Sequence, residues 1–159
     1  MKHQEIMDKA YKRWQESKPP QWSKQEFWDQ LDAQERFAIH IGNMNYQVQN
    51  GGFSQWHTND YGVPEVVGYL LRVLPKINTA AALKVVELLK QYRDAVDLFD
   101  ESDKENSYGD PIENAYEDFY DNLSPLDTEY YVVNEQFMAD VQRSLDTGSW
   151  KGGHNVSTK

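Results

Sequence analysis

Asn50-Gly51-Gly52-Phe53-Ser54-Gln55-Trp56 is the stretch that decides the fold. Asn-Gly is a strong hairpin signal because both residues accept a positive φ, but the residues on either side follow a helical pattern rather than an alternating one. We therefore expect Asn50, Gly51 and Gly52 to end one helix and turn the chain sharply into the next. Phe53 and Trp56 would then enter the core one turn apart, while Asn50 and Gln55 could hydrogen-bond exposed backbone groups.

The residues before this corner predict three helices. Residues 3–17 place Ile6, Ala10 and Trp14 on one face of the first helix, and Pro19-Pro20 stops it. Ser23 with Glu26, and Asp32 with Glu35, are capping-box patterns that open two more helices. The apolar stripe of the longer one is Phe37, Ile41, Met44 and Val48.

The residues after the corner predict further helices. Pro64 suits the first turn of a helix that ends before Pro75, and Asn78 or Thr79 caps a long helix that runs to about Phe99. Its heptad-like stripe is typical of a core face. The stripe consists of Val85, Leu89, Tyr92, Val96 and Phe99, with Leu88 adjacent.

The remaining residues predict a loop and two last helices. A polar loop is expected from Asp100 to Gly109, and Asp110-Pro111 starts a helix that directs Tyr116, Phe119 and Leu123 inward. Ser124-Pro125 breaks this helix. Asp127 caps a last helix whose inner face is Tyr130, Phe137, Val141 and Leu145, with Glu129, Glu135 and Asp140 on its other faces.

Together these patterns predict an all-α protein with a single compact domain of about seven helices. The domain is expected to occupy residues 1–146, and residues 147–159 form a flexible C-terminal tail, in which Trp150 is the one large apolar side chain.

Two groups of residues resemble the motifs of a known family. The first is the run from Asn50 to Gln55, followed by an aromatic residue at 56, Asn59 and Gly62; the second is Leu123, Leu126-Asp127 and Tyr130-Tyr131. They are similar to a bacterial domain-of-unknown-function family that includes acidic DNA-mimic proteins, although His57 stands where that family has another aromatic residue. The resemblance implies a mostly helical and often dimeric protein without known catalytic residues. It also implies that some members bind DNA-binding proteins by posing as DNA.

Negative charge is concentrated in one half of the chain. Residues 94–146 contain sixteen carboxylates but only two basic side chains, whereas residues 1–93 contain ten acidic and twelve basic side chains. Concentrating like charges destabilises the folded state by self-repulsion, and favours solubility or association with a basic partner. The charge pattern therefore indicates a binding surface rather than a reaction.

Carboxylates in that half recur at helical spacing. An i, i+4 pair rises by about 6 Å along a helix, which is comparable with the spacing of DNA phosphates, one per ~3.4 Å of axis on each strand. We therefore predict that seven acids stand in for phosphates opposite the Lys and Arg of a DNA-binding protein, either a transcription regulator or a nuclease. They are Asp97, Asp100, Glu101, Glu113, Glu117, Asp118 and Asp121. The alternatives are an inhibitor or immunity protein that covers a nuclease active site, and an acidic face that is merely solvated.

Other function classes have weaker support in the sequence. The chain has no cysteine, which excludes thiol catalysis and disulfides, and we expect no direct contact with nucleic acid or membrane because both would repel the acidic half. A cytoplasmic protein without cofactor or metal is the expectation. An enzyme could use His40, or His57 with Asp60, or the pair Glu117-Asp118, but none of them has a diagnostic spacing. His40, between Ile39 and Ile41, is more typical of a partly buried structural histidine.

Overall fold

Helices make up the fold of the computed structural model, which describes the backbone of residues 2–17, 23–105 and 112–151; of residues 17, 103–105 and 112–114 the side chains are not described. Six α-helices are present in these ranges, together with short 3-10 turns at Leu74–Lys76 and Ser149–Lys151, and no strand. The all-α prediction is thus confirmed. The helices are α1 (His3–Ser17), α2 (Lys24–Asp29), α3 (Ala33–Thr58), α4 (Pro64–Val73), α5 (Ala80–Glu105) and α6 (Ile112–Thr147).

Ser23, Asp32 and Thr79, which were predicted to cap the starts of helices, do so in the structure. Both capping boxes form: Ser23 and Asp32 each accept a hydrogen bond from the backbone of the glutamate three residues later, at the starts of α2 and α3. The Thr79 hydroxyl accepts from the Ala82 N–H at 3.2 Å and caps α5. The predicted stop at Pro19-Pro20 lies outside the described residues. No described helix is both long and apolar enough to cross a membrane.

The core lies where α6 packs along α5 and α3, with α1 on α3 and α4 on α5. Each helix contributes one apolar face, because burying apolar surface is the main favourable contribution to folding. The predicted stripes of α3 and α5 are buried, apart from the half-buried Phe99. The largest fully buried side chains include Trp56, Tyr92, Tyr130, Phe37, Phe53 and Phe137.

The predicted corner is a bend inside α3. Gly52 has φ +78° and ψ −178°, a backbone conformation that is essentially restricted to glycine, and Gly51 also departs from helical geometry. The backbone N–H of Phe53 donates to the Asp127 carboxylate at 2.7 Å. A Cβ atom on Gly52 would approach the same carboxylate to 2.2 Å. The carboxylate of α6 therefore caps the second arm of α3, and only glycine leaves room for it.

Polar side chains hold both sides of this bend. The Gln47 side-chain oxygen accepts from the Gln55 amide at 2.9 Å and from the Asn59 amide at 2.8 Å. Beyond the bend, the buried hydroxyl of Tyr92 donates to the Gly62 carbonyl at 2.7 Å.

The second motif contacts the first in space. Tyr130 donates to the Asn45 side chain at 2.6 Å, and Tyr131 donates to the Val48 carbonyl at 2.9 Å. Both acceptors lie in the two turns before the bend. The residues from the two parts of the sequence therefore form one structural unit.

Two predicted boundaries in the acidic half are wrong. The helix expected to end near Phe99 continues to Glu105, so the loop expected from Asp100 starts later, and its remainder and the Asp110-Pro111 start lie outside the described residues. The break expected at Ser124-Pro125 is absent, because α6 runs continuously through Pro125. A helix-interior proline costs roughly 3 kcal/mol, and buried Leu123, Leu126 and Tyr130 hold the helix on both sides of it.

Three side chains also differ from their predicted roles. Asp127 does not cap a last helix, since it lies inside α6 and caps α3 instead. Asp140, expected on an outer face, is buried, where it accepts hydrogen bonds from Gln136 and Thr79 and pairs with Arg143. Tyr116, expected to point inward, is 43% exposed.

The end of the described chain contacts the core. Trp150, in the turn after α6, packs against Phe37 with ring centroids 5.3 Å apart. This contact lies inside the stretch 147–159 that was expected to be a flexible tail, of which residues 152–159 are outside the described part.

Candidate functional site

The fold brings two groups of acids to the same end of a helical hairpin. Helices α5 and α6 run antiparallel, because Lys84 near the start of α5 pairs with Glu129 of α6 at 2.7 Å, whereas Phe99 stacks on Phe119 at 4.6 Å. The last turns of α5 therefore lie beside the first turns of α6. The acids that were far apart in the sequence come together there.

Six of the seven predicted acids have described side chains, and all six are exposed. We call them the acidic tip: Asp97, Asp100 and Glu101 on α5, and Glu117, Asp118 and Asp121 on α6. Helical spacing of three or four residues keeps neighbours on each helix within about 5–6 Å, measured between Cβ atoms. The seventh acid, Glu113, lies on α6, but its side chain is outside the described part.

None of the acidic-tip carboxylates forms an ion pair with a basic group that the structure describes. The ion pairs found among the described residues lie elsewhere: Lys12–Glu16, Arg13–Glu35, Lys84–Glu129 and Arg143–Asp140. On α6, the acids that form these ion pairs are Glu129 and Asp140, in the middle and near the end of the helix. The acids of the tip keep their acceptor oxygens directed to solvent.

Tyrosines lie among these acids. Tyr116 and Tyr120 are 43% and 44% exposed and stack on each other, with ring centroids 6.2 Å apart. Tyr116 also contacts Phe99, at 5.0 Å between centroids. The inward prediction for Tyr116 missed this surface, although the i, i+4 spacing of the two tyrosines was visible in the sequence.

His57 lies beneath the tip in an aromatic cluster. Its ring makes edge contacts with Phe119 at 4.9 Å, Phe99 at 6.1 Å and Tyr92 at 6.4 Å. Burial lowers the pKa of His57, and the charges of Asp100 and Asp60 partly oppose that shift. The burial favours the neutral imidazole, and the aromatic surroundings of the ring are those of a packing residue.

His40 lies at a different place, so the structure does not bring the two candidate histidines into one site. It is 6% exposed and packs edge-on against Trp28, with centroids 5.0 Å apart. Burial, with a smaller contribution from the charge of Arg36, lowers its pKa to about 4. Within the described ranges, no group of three or more histidine, aspartate or glutamate side chains is arranged to hold a metal ion.

The predicted corner residues are structural in this arrangement. Gly51, Gly52, Phe53, Gln55 and Trp56 form or brace the bend, and Asn50 is exposed in the turn before it. They contact α6 at Asp127, which is not part of the acidic tip.

Comparison with protein families identifies the family of this chain. The family model described as DMP19-like protein, after DNA mimic protein 19, matches residues 29–146, which is most of the chain and includes the bend, the hairpin and the acidic tip. No curated protein and no solved structure matches significantly.

Proposed function

This chain belongs to the DMP19-like family, and from that membership and the acidic tip we propose that it mimics DNA phosphates and occupies the basic surface of a DNA-binding protein. The observation that carries the proposal is the set of six exposed carboxylates without a described ion-pair partner. Because these carboxylates have no ion-pair partner among the described residues, a basic face of another protein can bind them without breaking such a pair.

The geometry of the tip suits such a face. Two adjacent helices each present acids one turn apart, at about 6 Å of rise, which resembles a row of phosphates. Partner arginines would bind these carboxylates through charge-assisted and often bidentate hydrogen bonds. The exposed rings of Tyr116 and Tyr120 offer π faces for the same guanidinium groups.

Two kinds of partner fit this surface equally in charge. One is a transcription regulator whose DNA-binding face would be covered, and the other is a nuclease whose basic active site would be inhibited, as by an immunity protein. Either partner would place the chain in the cytoplasm. The family resemblance also implies that such proteins are often dimeric, and a homodimer would present two acidic tips.

We also propose that the chain acts by binding rather than by catalysis. Burial lowers the pKa of both His40 and His57, and each ring packs against aromatic side chains. The pair Glu117-Asp118 is exposed at the tip rather than buried in a cleft.

The experiment compares wild type with the variant Glu117→Gln/Asp118→Asn/Asp121→Asn. Tagged wild type captures its partner from host lysate, with and without competing double-stranded DNA, and the purified partner is then titrated at several salt concentrations. We expect DNA to displace the partner and added salt to slow association. The triple variant should associate at least tenfold more slowly.

A matched control separates the tip from net charge. Glu5→Gln/Asp8→Asn/Glu16→Gln removes the same three charges from exposed positions of α1, and it should bind like wild type. Equal binding by the two triple variants, or a partner that DNA does not displace, would refute the proposal.

A further inference from the structure

A small polar cleft lies between α2, α3 and α4, and the acidic tip has no part in it. Its lining includes Arg36, His40, Tyr69 and Arg72, and its volume is about 80 Å³. Sites that bury a drug-sized ligand are typically ~300–1,000 Å³. The cleft therefore admits a single small group and not a nucleotide.

Two guanidinium groups face this cleft without a carboxylate partner among the described residues. Arg36 donates to the Trp28 carbonyl at 3.3 Å, which uses one of its five N–H groups. Arg72 is exposed, and its Nη1 lies 3.6 Å from the position of a Cβ atom built on Gly68. Neither arginine is within 4 Å of a described acid.

Two acids, Asp29 and Glu65, also line the cleft, and both are exposed, as is Arg72. The charge of Arg36 acts on both His40 and Tyr69, and that of Arg72 acts on Tyr69. The guanidinium groups are therefore the charges nearest to these two rings, while the exposed carboxylates disfavour an extended polyanion such as nucleic acid.

Two neutral donors complete the interior. The His40 ring and the Tyr69 hydroxyl form no hydrogen bond with a described residue, and the two rings contact each other at 5.3 Å. Burial raises the pKa of Tyr69 to about 12, so its hydroxyl keeps the proton at pH 7. A neutral histidine likewise keeps one N–H to donate.

We propose that this cleft binds one small oxyanion, of which phosphate is the representative, through Arg36 and Arg72 with Tyr69 and His40 as supporting donors. The planar fork of arginine matches the oxygens of phosphate or carboxylate bidentately. The site is independent of the acidic tip and of any protein partner.

Titration of the isolated protein with inorganic phosphate, at constant ionic strength and pH 7, tests the proposal. Two-dimensional NMR should show saturable one-to-one shifts at His40 and Tyr69, and the pKa of the His40 ring should rise when the anion is bound. Parallel titrations with sulfate and acetate distinguish a tetrahedral anion from a planar carboxylate. Saturable binding of either kind supports the site.

Charge-removing variants locate the binding. Arg72→Gln should weaken binding roughly tenfold or more, because a charge-assisted hydrogen bond is lost, and Arg36→Gln should do the same provided its circular dichroism is unchanged. The control Arg93→Gln removes an exposed arginine of α5 that does not line this cleft, and should bind like wild type.

Three results would overturn the proposal. They are the absence of saturable shifts with all three anions, wild-type affinity in Arg72→Gln, and equal weakening in Arg93→Gln. Because no partner protein is present, none of these results bears on the acidic tip, so the two proposals fail separately.

Discussion

Replacing Gly52 with alanine should destabilise the fold strongly. The backbone conformation at Gly52 is costly for a residue with a side chain, by ~1–3 kcal/mol. The new Cβ would also lie 2.2 Å from the Asp127 carboxylate, which must move and release the Phe53 N–H. Losing a hydrogen bond to a charged group adds ~1.5–3 kcal/mol.

The two contributions together lower the free energy of unfolding by roughly 2.5–6 kcal/mol, out of a typical ~5–15 kcal/mol. For a chain of this length, the melting temperature should fall by roughly 5–24 °C. Urea denaturation followed by circular dichroism measures the free energy, and a thermal scan measures the melting temperature.

Gly148→Ala provides the control. Gly148 also has φ +78°, but a Cβ there would meet nothing within 4 Å, so only the backbone cost of ~1–2 kcal/mol remains. In an Asp127→Ala background, Gly52→Ala should likewise cost only its backbone strain, because the clash and the hydrogen bond are already gone. The reasoning is refuted if Gly52→Ala costs no more than Gly148→Ala, or costs the same in both backgrounds.

Three further predictions concern stability. Glu117→Gln/Asp121→Asn removes a like-charged i, i+4 pair, so the free energy of unfolding in urea should rise by ~0.2–0.5 kcal/mol at low salt; a loss would show that these acids support the fold. Tyr92→Phe leaves the buried Gly62 carbonyl without its donor and should cost ~1–3 kcal/mol, with a loss below ~0.5 kcal/mol counting against this bond. Because burial depresses the folded-state pKa of His40 to about 4, the unfolded chain binds more protons below pH 6.5; this contribution to stability is complete above pH 6.5 and declines as the pH falls toward 4. His40→Asn should make the pH dependence of unfolding shallower in that window, and an unchanged slope would contradict a buried neutral ring.

Local chemistry was enough to predict most helix starts and core faces. The capping boxes at Ser23 and Asp32, the proline at the start of α4 and the apolar stripes of α3 and α5 each depend on residues three or four positions apart. The glycine bend was also predictable, since its requirement for unusual backbone angles is local.

Contacts between distant residues were not predictable in the same way. Pro125 alone indicates a helix break, but the packing of α6 on α5 and α3 carries the helix through it. Asp127 looks like a helix cap from its neighbours, yet its acceptor role is toward Phe53, which is 74 residues away. Buried Asp140 depends on Thr79 from another helix for the same reason.

The acidic tip, too, was predictable from the sequence only in part. That the acids of α6 face solvent was predicted from helical periodicity, whereas Asp100 and Glu101 were expected in a loop and lie on α5 instead. The tyrosines among them and the oxyanion cleft were not predicted, because each depends on which faces three helices present to one another. Arg36 and Arg72, for example, are 36 positions apart in the sequence and carry no shared motif.

The hydrogen bonds that join the bend of α3 to the middle of α6 have a consequence for protein engineering. Asp127, Tyr130 and Tyr131 fasten α6 to α3 and are not part of the acidic tip, whose last acid is Asp121. The exposed acids of the tip can therefore be randomised as a library while the scaffold is held constant. A selection against a chosen basic protein would then yield new specificities on one unchanged framework.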